Sequence, residues 1–572
     1  MDYKDIRETD VWQLYEIGRN YHRLTGIYTD TDRNYNFYNG NQWEGAKLGD
    51  VEPVQKNFIK PIVKYKVSVI HSNLYAPVFS SMNFENREFR KTAEKCCELL
   101  NGYVARLWEK DKMDYKLRRV TKDAAINDEG IIYVYYDGER PVHEVFKKND
   151  IYYGNENDDD IQSQPYILLR KRLPVINAID LAHDLGCYGK DELIVGDTDT
   201  HEQSGMAAKE EVDNMVTVLY KLYKRNGTVH YSIATRYAEL VEDEDLGIAL
   251  YPVAHMVWEE KEGSARGEGE VRYLIPNQIE VNKTEMRRVL TVKQQAYPLK
   301  VADRSKIANP AALNTVGGTI WTSGQTVDDV HKVVGIIPPA QMSPDVVKLQ
   351  EDLINVTREL AGAGDVATGQ VNPEDASGRA ILAVQQASQA PMTEQREFFK
   401  NLVEDVAKID LEFLIHHSVD GIQMEEEVPD PNTGDNYYRV VNIPQSLLEQ
   451  VKAEVKIDIT PKSVYDRFAQ EQTIENLLTQ GFFNAQRVSE LEIYYKVLPD
   501  DAVAPKVMIG EAIEYIKGEQ KKIAAIQAQM QLMQQRASQF IGGDPDGQAS
   551  MIADAKSSLE AEAVNPDNPD DN

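Results

Sequence analysis

Ten histidines, three cysteines and 93 acidic residues are the raw material for chemistry in this 572-residue chain, and their spacing argues against catalysis. His416 and His417 are adjacent in a run with helical periodicity, so their side chains leave the helix in different directions and do not chelate one ion. Cys96 and Cys97 are adjacent too, where burial as small apolar groups is the ordinary outcome, and Cys187 stands apart; zinc sites show spaced Cys and His pairs instead. No Gly-x-x-x-x-Gly-Lys-Ser/Thr phosphate loop occurs, and the GEGEVR run from Gly267 to Arg272 is not a dinucleotide fingerprint. Carboxylates are so abundant that some will meet by chance, and none forms a pattern that names a nuclease centre. No catalytic residue, metal ion or cofactor is expected.

The cations worth weighing are Lys283, Arg287, Arg288 and Lys293. Lys283 and Arg287 are four residues apart on a predicted helix and share a face, Arg288 follows directly, and Lys293 lies about five residues on. Two outcomes are open: a solvated face salt-bridged to Glu280 and Glu285, or a weak basic band that touches phosphates. The balance of the whole chain opposes a DNA grip, since 63 basic residues against 93 acidic ones leave a net charge of −30. Such an excess serves solubility at least.

The elements that position these residues are of mixed type. Helical spacing of apolar residues runs from Val11 to about Asn39, from Ile62 to Leu74 and from Thr92 to Ala125. Strands follow at Gly130 to Gly138, Pro165 to Val175, Met215 to Tyr223, Thr228 to Thr235 and Ile248 to Trp258, with Asn226-Gly227 supplying a tight hairpin turn. The acidic insert Gly154 to Gln164 is expected to be a solvated loop. A helix is then predicted from Pro276 to about Tyr297, stopped by Pro298. After a segment rich in Ala, Asn, Gly, Ser and Thr, Gly317-Gly318 precede Ile320 and Trp321 in a second short hairpin. Ser343 as N-cap and Pro344 at the first helical position open another helix, which ends at Gly362 and Gly364. A linker through Gly369 and Pro373 leads to a long helix ending near His417, bent at Pro391. Further strands (YYRVVNI, VKAEVKIDIT), a helical region from Val464 to about Leu498 and a final helix from about Val503 to Phe540 complete the chain. Ile509, Ile513, Ile516, Ile523, Ile526, Met530 and Met533 give that last helix an apolar stripe that needs a covering surface. No run is long and apolar enough for a membrane helix.

Three stretches resemble the portal proteins of tailed bacteriophages. They are the DRNYNFYNGNQWEG run from Asp32 to Gly45, the segment from Gly267 to Ala296 with its Gln-x-Glu-x-Asn run, and the glycine-broken helix whose restart reads ASGRAI from Ala376 to Ile381. The resemblance implies an α+β, mainly helical portal fold with wing, stem, clip and helical C-terminal crown. Its boundaries would be wing 1–273, first stem helix 274–298, clip 299–342, second stem helix 343–364, tunnel loop 365–376, long kinked wing helix 377–417, β-rich wing return 418–463, crown 464–541 and an acidic disordered tail 542–572. It implies a ring of about twelve copies at one capsid vertex of the virion, made in the bacterial cytoplasm, conducting double-stranded DNA without sequence specificity. Expected partners are the major capsid protein, the terminase large subunit and the head-tail adaptor. On this resemblance Ala367, Thr368, Gly369, Gln370, Val371 and Asn372 would face the DNA, Lys283, Arg287, Arg288 and Lys293 would line the stem, and Gly317, Gly318, Ile320 and Trp321 would dock adaptor or terminase. A non-conducting capsid scaffold or adaptor, and a packaging enzyme, are the competing functions.

Overall fold

The computed structural model of the protein describes residues 9–48, 52–71, 76–81, 87–199, 214–296, 299–315, 319–323, 331, 333–338, 341–364, 390–417, 421–429, 436–445, 448 and 455–459, with scattered helical residues between 510 and 534. The chain divides into two units, Met1–Pro461 and Lys462–Asn572.

In the first unit, α1 (Val11–Thr25), α2 (Ile27–Asn39), α3 (Ile59–Ile70), α4 (Arg87–Lys110) and α5 (Met113–Asn127) precede most of the strands. Two expected helices are each broken in the structure. Gly26, at φ 78°, caps α1 and lets α2 restart, and Lys112, at φ 53°, does the same between α4 and α5. The strands are β1 (Pro77–Ser81), β2 (Glu129–Tyr136), β3 (Pro141–Phe146), β4 (Ile151–Tyr153), β5 (Ile167–Pro174), β6 (Met215–Arg225), β7 (Thr228–Ala234), β8 (Glu239–Asp245) and β9 (Val253–Val257), with α6 (Val175–Asp184) after β5. Then come α7 (Glu270–Ala296), β10 (Leu299–Ala302), β11 (Val334–Ile337), α8 (Pro344–Leu360), α9 (Thr393–His417), β12 (Ile422–Pro429), β13 (Asn436–Ile443) and β14 (Val455–Ile459).

Five strands form an antiparallel sheet in the order β4-β5-β6-β7-β8, and three form another in the order β3-β2-β9. Asn226 and Gly227 take φ 55° and 94° in the β6–β7 turn, as a two-residue hairpin with matched right-handed twist requires. Alternation along the strands gives the five-stranded sheet two buried faces. Leu168, Leu219 and Ala234 pack under Tyr15 of α1, while Val216, Val218 and Ile233 pack under Ala178 and Ala182 of α6. The main core joins α3, α4 and α5 to β2, β9, α7 and α9 through residues such as Ile62, Leu100, Val120, Ile132, Trp258, Val281 and Phe413. β1 pairs antiparallel with β14, from Pro77↔Ile459 to Ser81↔Val455, closing a long span of chain.

The acidic insert is exposed at Asn155, Asn157, Asp159, Asp160 and Ser163, as expected of a solvated loop, but it is anchored elsewhere. Glu156 is half-buried against Arg266, which donates to it from Nε at 2.8 Å, and Gln164 is buried. Burial alone would raise the Glu156 carboxyl; the Arg266 charge and the hydrogen bonds from Arg266 instead hold it below its usual range. Arg266 also bonds Glu129, the Ile151 carbonyl at 3.1 Å and His22 Nε2 at 2.9 Å, so one guanidinium ties the insert to α1, β2 and β4.

In the second unit the described helical residues fall inside the helix expected at 503–540. Ile513 is buried, whereas Ile516, Ile523, Ile526, Met530 and Met533 are exposed. The region 464–498 and the tail lie outside the described residues.

Candidate functional site

The helix expected from Pro276 begins six residues earlier, at Glu270, and Pro276 sits inside it. Val271, Leu274 and Ile275 are buried, so packing carries the helix through a residue that lacks one N–H. The approach to this helix is cramped. A Cβ on Gly267 would lie 2.4 Å from the Glu259 carbonyl, and one on Gly269 would lie 2.9 Å from backbone atoms of Asn127 and Asp128. The glycines of the GEGE run therefore allow close chain packing, not phosphate binding. Glu270, in the first turn where the helix dipole favours an acid, pairs with Lys66 at 2.6 Å and accepts from Trp258 Nε1 at 3.2 Å.

Along α7, burial continues to Thr284 and then stops, so the helix is rooted over its first half and projects over its second. The root is polar. Gln278, Asn282 and Gln42 are all buried, and each hydrogen-bonding end is satisfied. Gln278 Oε1 accepts from the Phe58 N–H at 3.1 Å, and its Nε2 donates to the Lys56 carbonyl and to Asn282 Oδ1, both at 2.9 Å. Asn282 Oδ1 also accepts from the Lys56 N–H at 3.1 Å, and its Nδ2 donates to Gln42 Oε1. Gln42 Nε2 donates to the Phe37 carbonyl at 2.9 Å. The Asn-Gly-x-x-Trp run near residue 40 and the Gln-x-Glu-x-Asn run are thus two halves of one joint, a contact that sequence spacing alone did not show.

α8 lies antiparallel to α7. Asn277 Nδ2 donates to Thr357 Oγ1 at 2.9 Å, and farther out Gln350 bridges two residues, donating to Glu285 at 2.6 Å and accepting from Arg288 at 2.8 Å. Ser343 accepts from the Asp345 N–H at 3.3 Å as the expected N-cap, and Gly362 at φ 69° follows the helix end. Between the two helices β10 and β11 form a two-stranded antiparallel ribbon, from Leu299↔Ile337 to Ala302↔Val334. Its Leu299, Val301, Ile336 and Ile337 are exposed, as are Ile320 and Trp321 beside it. Asn309 holds that neighbourhood by accepting from the Trp321 N–H at 2.8 Å and donating to the Thr319 carbonyl at 2.8 Å.

Three of the four candidate cations carry counter-charges: Lys283 to Glu280 at 2.7 Å, Arg288 to Glu285 at 3.1 Å and Lys293 to Glu52 at 2.7 Å. Arg287 is exposed and, among the described residues, has no carboxylate at ion-pair distance. The hydrogen bond from Lys283, with the nearby Lys283 and Arg287 charges, holds the Glu280 carboxyl below its usual range. The predicted residues Ala367 to Asn372 and Gly317-Gly318 lie outside the described residues. Pro391 stands in a short 3-10 turn, Ala390–Met392, directly ahead of α9; the stretch before it, 365–389, is also outside them.

Among the described residues no group of three or more His, Cys, Asp or Glu side chains is placed to hold a metal ion, and no helix is long and apolar enough to cross a membrane. Burial pushes the Cys96 thiol up to about 12, which leaves it protonated and inert. His416 and His417 stand with ring planes at 88°, and His417 stacks on Tyr136 at 3.9 Å.

A search of curated proteins found no match. A protein-family model described as phage P22-like portal protein matches residues 189–564, a span that holds α7, the ribbon, α8 and α9. On that match over more than half its length, the chain belongs to the phage P22-like portal protein family of tailed phages, whose members are structural proteins.

Proposed function

We propose that this chain forms a ring of about twelve copies at one capsid vertex, conducts double-stranded DNA during packaging and ejection, and docks first the terminase and then the head-tail adaptor. The observation that carries this is the antiparallel α7–α8 pair, rooted at one end in the body and bearing an apolar two-stranded ribbon at the other. Twelve such helices standing about 10 Å apart trace a circle of about 19 Å radius, and taking off about 5 Å for side chains leaves an opening about 28 Å wide. That width passes a duplex. The ribbon and Trp321 supply the docking surface, and the loop from Ala367 to Asn372 yields to the moving DNA.

The net charge of −30 supports sliding, because an acidic lining repels phosphates while a strong basic one would hold them through counterion release. Internal pairing of Lys283, Arg288 and Lys293 is in keeping with that, and Arg287 is the cation of the four left to touch a phosphate. Negative-stain microscopy of the purified chain tests the reading: a ring with a central channel is expected, and a solid particle would favour a non-conducting scaffold or adaptor. Deleting Ala367 to Val371 should leave ring assembly intact and lower the yield of full heads; a normal yield would sink the tunnel-loop role. Replacing Lys283, Arg287 and Arg288 by Gln with no change in packaging would remove the basic band.

A further inference from the structure

A cleft of about 1280 Å3 opens between the two sheets, walled by Tyr133 and Tyr135 of β2, Tyr220 of β6 and Tyr231 of β7, with the exposed side of α6 along its edge. The cleft already shows what it accepts. The Lys171 ammonium lies 5.8 Å from the ring centre of Tyr133, 5.4 Å from Tyr135, 5.2 Å from Tyr220 and 5.5 Å from Phe146, and it pairs with Glu144. Four ring faces around one ammonium form a cation-binding surface, and the rest of the cleft continues the theme. Among its lining residues carboxylates outnumber the single ammonium. Asp180 and Asp184 lie one turn apart on α6, a like-charge spacing that is unfavourable by itself. Among the described residues neither has a hydrogen-bond or ion-pair partner, and both are exposed.

We propose that this cleft is the docking groove for a basic segment of a partner protein, whose arginine or lysine side chains enter over the tyrosine rings and meet Asp180 and Asp184. Charge selects this occupant. Nucleic acid is repelled by the carboxylates that line the cleft, whereas a segment rich in arginine or lysine is attracted by them. A cation between the two aspartates relieves their repulsion, and a guanidinium also stacks on a phenol ring. The groove lies apart from the α7–α8 pair and its ribbon, so the proposal stands whether or not the channel function does.

The test uses the full chain and a fluorescein-labelled peptide of alternating Gly and Arg, about eight residues long, followed by anisotropy at about 0.15 M salt. The expected result is saturable binding that the double variant Asp180→Asn/Asp184→Asn weakens about tenfold. The double variant Glu16→Gln/Asp30→Asn removes the same charge from the exposed faces of α1 and α2 and should shift affinity less than about twofold. Equal weakening by both pairs would mean non-specific attraction to an acidic protein, and absence of binding would mean no groove; either overturns the proposal. Loss of self-association in the Asp180→Asn/Asp184→Asn chain, with peptide binding unchanged, would assign the cleft to a second copy and overturn it as well. All four substituted or control side chains sit on helix surfaces, and circular dichroism checks that each variant folds.

Discussion

Raising the pH should loosen α9 through a single histidine. His143 is fully buried, with Nδ1 2.7 Å from Asp111 and Nε2 2.9 Å from Asp410, while Asp410 also accepts from Trp108 Nε1 at 2.9 Å. Both ring nitrogens can donate only when the imidazole is protonated. Burial alone would lower its pKa, but the Asp410 charge and the bonds to Asp111 and Asp410 outweigh it and push it up to about 9 from 6.5. At about 1.36 kcal/mol per unit, the charged clamp contributes about 3 kcal/mol to holding Asp410 of α9 against β3. Because the folded value is the higher one, that stability is whole below pH 6.5 and is lost as the pH climbs through 9. Lys116 and Arg140 also face Asp111, at 2.7 and 3.9 Å, and keep that carboxylate charged after His143 gives up its proton. Hydrogen exchange of residues 402–417, corrected for the intrinsic rate, reads the effect. Protection should fall about a hundredfold between about pH 6 and 9.5, and in His143→Gln it should be low at both values. A wild-type chain with flat protection, or a His143→Gln chain protected like wild type, would refute the clamp.

Other substitutions probe the joints. Asn282→Ala strips partners from Gln42, Gln278 and the Lys56 N–H at once, and should cost roughly 2–4 kcal/mol in urea unfolding of the first unit. Gly267→Ala drives a methyl into the Glu259 carbonyl and should lower stability by about 1–3 kcal/mol, seen as a lower unfolding midpoint and poorer soluble yield. Gly227→Ala meets open space but must hold φ 94°, so its loss should stay near about 1 kcal/mol in the same assay. Arg288→Gln should raise protease cutting within α8 by removing one of the two bonds that hold Gln350 to α7, whereas Arg287→Gln should leave cutting unchanged.

What the sequence disclosed was local. Asn226-Gly227, Ser343-Pro344 and Gly362 act through their own backbone conformations, so a turn, a helix start and a helix end could be placed before any contact was known. The misplaced features depend on distant partners. Pro276 reads as a start until Val271, Leu274 and Ile275 are seen to be buried ahead of it. The insert's Asn155, Asn157, Asp159 and Asp160 are exposed as read, but its Glu156 is drawn in by Arg266, more than a hundred positions later. β8, with its run of acids, carries few apolar residues to signal an edge strand, and its pairing with β7 is irregular. The cleft combines β2, β5, β6, β7 and α6, and no spacing along one element announces it.

The Gln350 bridge has a mechanical side. An apolar seam between two helices lets them creep, since one methyl contact is much like the next. Here Gln350 engages Glu285 and Arg288 together, and Asn277 finds Thr357 farther along. Sliding α8 along α7 by a single turn, about 5.4 Å, would break all three bonds before any new set could form. The pair is therefore a latched strut that resists sliding along its axis, not a greased telescope.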